Sequence, residues 1–244
     1  MKIALKIVLI VGIFAYIIFA IIQFAGKPED EPCAGVDVEV MDEEMQSILT
    51  SDYVLNLLSK NHFTPVGELR RDIDLATMET ALLKDPYISE VNCYFSANNN
   101  LCIKVYPLRP ILHVMAETGE DYYIDTTGVV MPVSNFNLDL LVATGHINTK
   151  TIKQELLPLA WYLHENDYWS CEAEQIYVKQ NGDIVISPRV GSHHILLGTL
   201  DNYQEKLANM KLFNEKGFPQ VGWNKYRTID LRYRGQVIGV KDNK

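Results

Sequence analysis

The stretch "DPYISEVNCYFSANNNLCIKVYPLRPI", residues 85–111, decides how the rest of the chain is read. Pro86 disfavours helical backbone at Asp85, so any helix leading into it ends there. Residues 88–96 and 101–108 are predicted strands, joined by "ANNN", whose asparagines tolerate positive φ. Val91, Cys93 and Phe95 share one face of the first strand. Leu101, Ile103 and Val105 form the apolar face of the second, which places Cys102 beside Lys104 and Tyr106 on the opposite face. Cys93 and Cys102 therefore point apart and cannot bridge without strain.

Upstream, Asp72 or Asp74 can cap a helix over 74–84 with Leu75, Met78, Leu82 and Leu83 inward. Before it, Ser51 or Asp52 can cap another running to Lys60, with Leu55, Leu57 and Leu58 as its apolar members. "VDVEVM", from Val36 to Met41, alternates as a strand does. The order β-α-α-β-β thus fills residues 36–109.

Downstream, residues 121–133 read as a hairpin turning at Thr127-Gly128. Residues 151–165 read as a helix with Leu156, Leu159, Ala160 and Leu163 inward. Strands over 175–179 and 183–187 meet at Asn181-Gly182, a strong hairpin signal. A short strand over 195–197 follows, then an amphipathic helix over 202–215 with Tyr203, Leu207, Met210 and Phe213 on one stripe. At the end, Thr228, Asp230, Arg232 and Arg234 alternate with Ile229, Leu231 and Tyr233. Arg234-Gly235-Gln236 then makes a turn, and Val237, Ile238 and Val240 begin a last strand. The expected second domain, residues 110–244, is mixed α+β with an extended, mainly antiparallel sheet. Its last strand would lie at an edge, where backbone groups stay open to a partner.

At 244 residues, 48% hydrophobic and 22% charged, the chain is long and apolar enough to build a real core. Its net charge of −9 argues against nucleic-acid binding. The apolar residues crowd one place. Ile7 to Ala25, "IVLIVGIFAYIIFAIIQFA", contains Gln23 as its one polar member and has no polar face. At about 1.5 Å per residue, a helix of that length spans a bilayer core of about 30 Å. "AGKPEDEP" is a poor cleavage site and Cys33 comes too late for a lipoprotein signal, so the segment reads as an uncleaved anchor. Lys2 and Lys6 precede it, and Glu29, Asp30 and Glu31 follow. Positive-inside placement makes residues 1–6 a cytoplasmic stub, 26–35 an acidic linker, and the remainder external.

Catalytic signatures are missing from the sequence: no Walker A, G-x-S-x-G, H-E-x-x-H or Ser-x-x-Lys of a penicillin-binding site. Adjacent His193 and His194 fall on opposite faces of a strand, which speaks against one metal site. Glu120, Asp121 and Asp125 lack the spacing of a calcium loop and read as solvated carboxylates of a strand-turn-strand. Cys33, Cys93, Cys102 and Cys171 contain no Cys-x-x-Cys. No cofactor or metal is expected. A scaffold, a membrane-anchored envelope enzyme with an unrecognised site, and a protein handling translocating polypeptide remain as function classes.

A strand-helix-helix-strand-strand module just after a membrane span resembles a POTRA domain. Pro86, Ile88, Val91, Leu101, Ile103, Val105, Arg109 and Pro110 fit "P-x-I-x-x-V" and "L-x-I-x-V-x-x-R-x-P". Tyr122, Asp125 and Gly128 fit "Y-x-x-D-x-x-G"; "LVATGHI" and "TIDLRY" are similar to two later elements. Together they resemble the FtsQ/DivIB family of bacterial cell-division proteins over nearly the whole chain. The resemblance implies a non-enzymatic scaffold of the inner membrane, placed at the septum. It would bind FtsB- and FtsL-type partners and link early ring components to septal wall synthesis. It implies partner contacts at Tyr233, Gly239 and Val240, the last standing where some members carry Trp; the expected terminal edge strand extends the candidate contact to Arg232, Val237 and Ile238. It also implies a second docking surface on the POTRA hairpin; Arg109, standing before Pro110, reads as an inter-domain strut rather than a catalytic group.

Overall fold

The computed structural model describes residues 10–20, 28–43, 45–47, 49–133 and 138–241. Of the predicted anchor, residues 10–20 are helical with largely exposed side chains; 7–9 and 21–25 lie outside the described residues. Among the described residues no helix is long and apolar enough to cross a membrane. Contacts divide the chain into two compact units, Met1–Pro107 and Leu108–Lys244.

The first unit is a three-stranded sheet with two helices. Strand β1 (Gly35–Val40) runs parallel to β3 (Asn100–Pro107), and β2 (Ile88–Phe95) pairs antiparallel on the other side of β3. The hairpin turns with Asn99 at φ 62°. Cys93 pairs with Ile103, and Cys102 with Tyr94, so the two thiols do lie on opposite faces. All four cysteines are free. Helix α1 (Ser51–Lys60) is capped one residue earlier than the sequence suggests, because the Thr50 hydroxyl accepts from Tyr53 N–H. Its buried residues are Val54 and Leu58, while Leu55 faces out. Helix α2 (Leu75–Leu82) is capped by Asp74, buries Met78 and Leu82, and leaves Leu83 exposed. Leu101, Ile103 and Val105 meet these residues in one core.

Both outer edges of this small sheet are covered by side chains. On β1, Ser51 Oγ donates to the Val38 carbonyl at 3.3 Å and Gln46 Nε2 to that of Val40 at 3.2 Å. On β2, Glu79 of α2 accepts from Cys93 N–H at 2.6 Å. Edge groups capped in this way offer little to an incoming strand.

The second unit is built on a nine-stranded sheet in the order β12-β11-β10-β9-β8-β7-β4-β5-β6. Its strands are β4 (Pro110–Ala116), β5 (Asp121–Asp125), β6 (Val130–Pro132), β7 (Leu141–Gly145), β8 (Ala173–Val178), β9 (Ile184–Pro188), β10 (His194–Gly198), β11 (Thr228–Asp230) and β12 (Ile238–Val240). Most neighbouring pairs are antiparallel; β4–β7, β7–β8 and β10–β11 are parallel. Asp125, expected in solvent, is buried. Its Oδ1 accepts from Thr127 N–H at 2.9 Å and Val129 N–H at 2.7 Å, so the carboxylate builds the β5–β6 turn from inside.

Helices cover one sheet face. Helix α3 begins at Thr149–Thr151, widens into a π turn at Ile152–Leu156 and finishes as Leu157–Glu165. A short α4 (Trp169–Glu172) follows. Helix α5 begins as Tyr203–Leu212, widens at Phe213–Gly217 and ends as Phe218–Val221, beyond the stop expected at residue 215. Each π turn stands just before a proline's turn, Pro158 or Pro219. Proline has no N–H to give and clashes with the preceding turn; a wider turn lets the helix continue. Leu156, Leu159, Leu163, Leu207, Met210 and Phe218 close over Leu112, Ile176, Ile186, Ile195 and Ile229.

Candidate functional site

The candidate site is the end of the sheet where, among the described residues, β12 has a neighbour on one side only. Strand β11 is anchored by Ile229, which is buried, and is held between β10 and β12. The alternation read through to Tyr233 does not continue as strand. It stops at Asp230 because that carboxylate turns the chain: Asp230 Oδ1 accepts from Arg232 N–H at 3.0 Å. Leu231 is buried and its N–H still reaches the Leu196 carbonyl at 2.9 Å. Residues 231–237 then loop out, with Gly235 at φ 67°, and return as β12.

The six residues singled out for partner contact have four different environments. Arg232 is held within the chain. Its Nε and Nη2 donate to the two oxygens of Asp230 at 3.0 and 2.7 Å, and its Nη1 lies 3.7 Å from Asp183 at the β8–β9 turn. The stem of Arg232 lies over Gly198, where any Cβ would come within 2.6 Å of it. The guanidinium holds the Asp230 carboxyl below the usual carboxylate range, against the opposing effect of burial. Val237 packs against the core. Gly239 faces the ring of Tyr226, and a Cβ there would come within 2.6 Å of that ring. Tyr233, Ile238 and Val240 are exposed, at 55%, 37% and 47%.

Ile238 and Val240 flank Gly239 and so point to the sheet face away from Tyr226. Tyr233 stands on the loop beside a cleft of about 140 Å³, also lined by Asp201, Glu205, Lys206 and Arg234. Lys206 donates to the carbonyls of Leu197 and Thr199 at 3.0 and 2.8 Å, and its burial lowers its affinity for the proton. Arg234 is largely exposed, 3.9 Å from Glu205. Tyr226, Asp183 and Gly198 carry structural roles here that the sequence did not single out. The Asp230-x-Arg232 spacing was the one available signal.

The outer side of β12 contrasts with the other edges. Among the described residues, no side chain is hydrogen-bonded to the backbone of Ile238, Gly239 or Val240. At the far edge of the same sheet, β6 carries Pro132, which has no N–H to offer. Next to this edge, His193, just before β10, is buried, and His194, its first residue, is exposed. Among the described residues no group of three or more His, Cys, Asp or Glu could hold a metal.

Residues 109–240 match the family model described as FtsQ/DivIB, C-terminal related, and residues 31–106 match the POTRA-like domain. The chain belongs to the FtsQ/DivIB family. No curated protein matches it. FtsQ/DivIB proteins are non-enzymatic, membrane-anchored division proteins, so the domains of this chain are those of a cell-division scaffold. In FtsQ/DivIB terms, Met1–Pro107 contains the POTRA-like module, and β4 to β12 form the family's C-terminal domain.

Proposed function

We propose that this FtsQ/DivIB chain assembles the division machinery by accepting a partner's strand on β12. The partner is of the FtsB type, travelling with an FtsL type, and the assembly regulates septal wall synthesis. Residues 7–25 anchor the chain in the cytoplasmic membrane, with 1–6 inside, 26–35 as linker, and the domains 36–109 and 110–244 outside. Confinement to a membrane raises the effective concentration of partners, so a short strand can suffice.

The observation that carries this reading is the open side of β12, in a protein whose other sheet edges are capped or blunted. A strand added there gains main-chain hydrogen bonds, and its side chains meet Ile238 and Val240 on one face. Tyr233 gives a large exposed aromatic beside the same edge. Arg232 supports the edge from within. A contact through the POTRA hairpin would use exposed side chains such as Glu90, Asn92 and Tyr94, because the β2 edge is occupied by Glu79.

The test is photo-crosslinking in cells with probes at Tyr233, Ile238 and Val240 and a control at Thr118. Thr118 stands in the β4–β5 turn and is exposed. The expected product is a small single-pass membrane protein captured at the three C-terminal positions and not at Thr118. Val240 turns its carbonyl to Arg227 N–H, so Ile238, two residues back, also faces β11; Ile238→Pro removes a donor that seats β12 on β11 and should abolish that capture by unseating the strand. Undiminished capture in Ile238→Pro would overturn strand addition.

A further inference from the structure

The fold buries a titratable side chain whose polar atoms find no partner among the described residues. His193 is 1% exposed, and among the described residues neither Nδ1 nor Nε2 has a hydrogen-bond partner. Buried imidazole nitrogens are ordinarily paired, so this ring sits in an environment built for its uncharged form. Its centroid lies 4.7 Å from that of Phe218 at the end of α5. Phe218 stacks on Trp223 at 4.6 Å. Gly191, at φ 95°, lets the loop fold against the ring; a Cβ there would come within 2.8 Å of His193 Nδ1.

This aromatic cluster supports the partner edge. The chain runs from Phe218 through Trp223 to Tyr226, whose ring lies on Gly239 of β12. His193 itself leads straight into β10, where His194 pairs with Thr228 of β11. The His194 N–H bonds the Arg227 carbonyl at 2.9 Å, and Arg227 N–H bonds the Val240 carbonyl at 2.9 Å. Movement of the His193 ring therefore reaches β12 through both backbone and packing.

The groups around the ring give a proton no welcome. The end of α5 presents Phe218, the loop after it Trp223, and the loop before β10 Gly191. The titratable neighbour acting on the ring is His194, itself a base. On the loop that carries Trp223, Lys225 holds its ammonium 5.8 Å from the centre of the Tyr226 ring. An aromatic face attracts a cation, but more weakly than water does, and the ring is sealed from water.

We propose that His193 is an acid-sensitive latch for the C-terminal edge: on taking a proton it leaves its aromatic seat, and β10 to β12 loosen together. The latch makes the β12 edge responsive to the pH of the compartment it faces. It stands whether or not the edge receives a division partner. Burial and His194 both push the imidazole below its ordinary value. The stability it carries is complete above about pH 6.5, where the released ring is also neutral, and falls as pH drops below that value.

The test is hydrogen exchange of the full chain in nanodiscs, corrected for intrinsic rates, at about pH 7.5 and about pH 5.5. A ring that binds a proton only when released raises the opening equilibrium about tenfold between those conditions. That rise is expected over residues 226–240 in the wild type and in His194→Gln, and is expected to vanish in His193→Leu. A flat wild-type profile overturns the latch, as does an equal rise in His193→Leu. Should His193→Leu fail to fold, the wild-type ring is followed by NMR. Proton uptake near pH 6.5 with no loosening of β12 would likewise overturn it.

Discussion

Arg232 shows how a residue can matter to an interface without reaching across it. Its fork is spent on Asp230, and Asp183 stands near. Asp230 is buried, so removing the guanidinium leaves a carboxylate short of its main partner. Arg232→Ala is expected to lower the denaturation midpoint near neutral pH, with Arg232→Lys intermediate because an ammonium cannot reproduce the bidentate fork. The pH dependence distinguishes this from lost packing. In the folded wild type the Asp230 carboxyl lies below its unfolded value, so its contribution is present above about pH 4 and is lost as pH falls through the folded value. The gap between wild type and Arg232→Ala should therefore narrow in acid. Denaturant midpoints measured near pH 7 and near pH 3 check it; a constant gap would assign Arg232 a packing role only.

Secondary-structure elements explain which edges are closed and how much of that could be read in advance. Glu79 sits on α2, 14 residues before Cys93, and no local pattern announces that it will cap the edge of β2. Burial, together with the Glu79 charge, pushes the Cys93 thiol up to about 12. Glu79→Ala should uncap the Cys93 N–H at a cost of about 1.5–3 kcal/mol to the first unit, the range for a charged hydrogen bond. It should also quicken alkylation of Cys93 relative to exposed Cys171, which mass spectrometry can follow. Unchanged reactivity would show that burial alone silences the thiol. The hairpins were legible because period-2 alternation and Asn-rich turns are local signals, and Asn99 does take positive φ. Helix ends were less so. Helix α5 was expected to stop at residue 215, yet a π turn at Phe213–Gly217 carries it on to Val221, with Phe218 buried in the core. The last strand pair was read too long because Asp230 looked like one more outward polar residue. Its role as a turn builder depends on Arg232 folding back onto it.

The whole molecule is organised as two separate hydrophobic clusters, one beneath the POTRA-like sheet and one beneath the nine-stranded sheet. The division was visible in the order of predicted elements, since the five elements β-α-α-β-β complete a small sheet with two helices before Pro110 opens a new sheet. Strand β12 stands at one end of the nine-stranded sheet, and its aromatic support by His193, Phe218, Trp223 and Tyr226 comes from residues scattered over more than thirty positions, which no local pattern joins. Two cores make a measurable claim. All three tryptophans, Trp161, Trp169 and Trp223, belong to the second unit, so tryptophan fluorescence reports that unit alone. Leu101 is fully buried in the first core. Leu101→Ala should cost the first unit about 2–5 kcal/mol, the range for a buried Leu→Ala change. In urea, far-ultraviolet circular dichroism should then show an early transition while the tryptophan transition keeps its wild-type midpoint. A matching shift in fluorescence would mean that the two cores melt as one, and the edge at β12 would then feel every perturbation of the POTRA-like module.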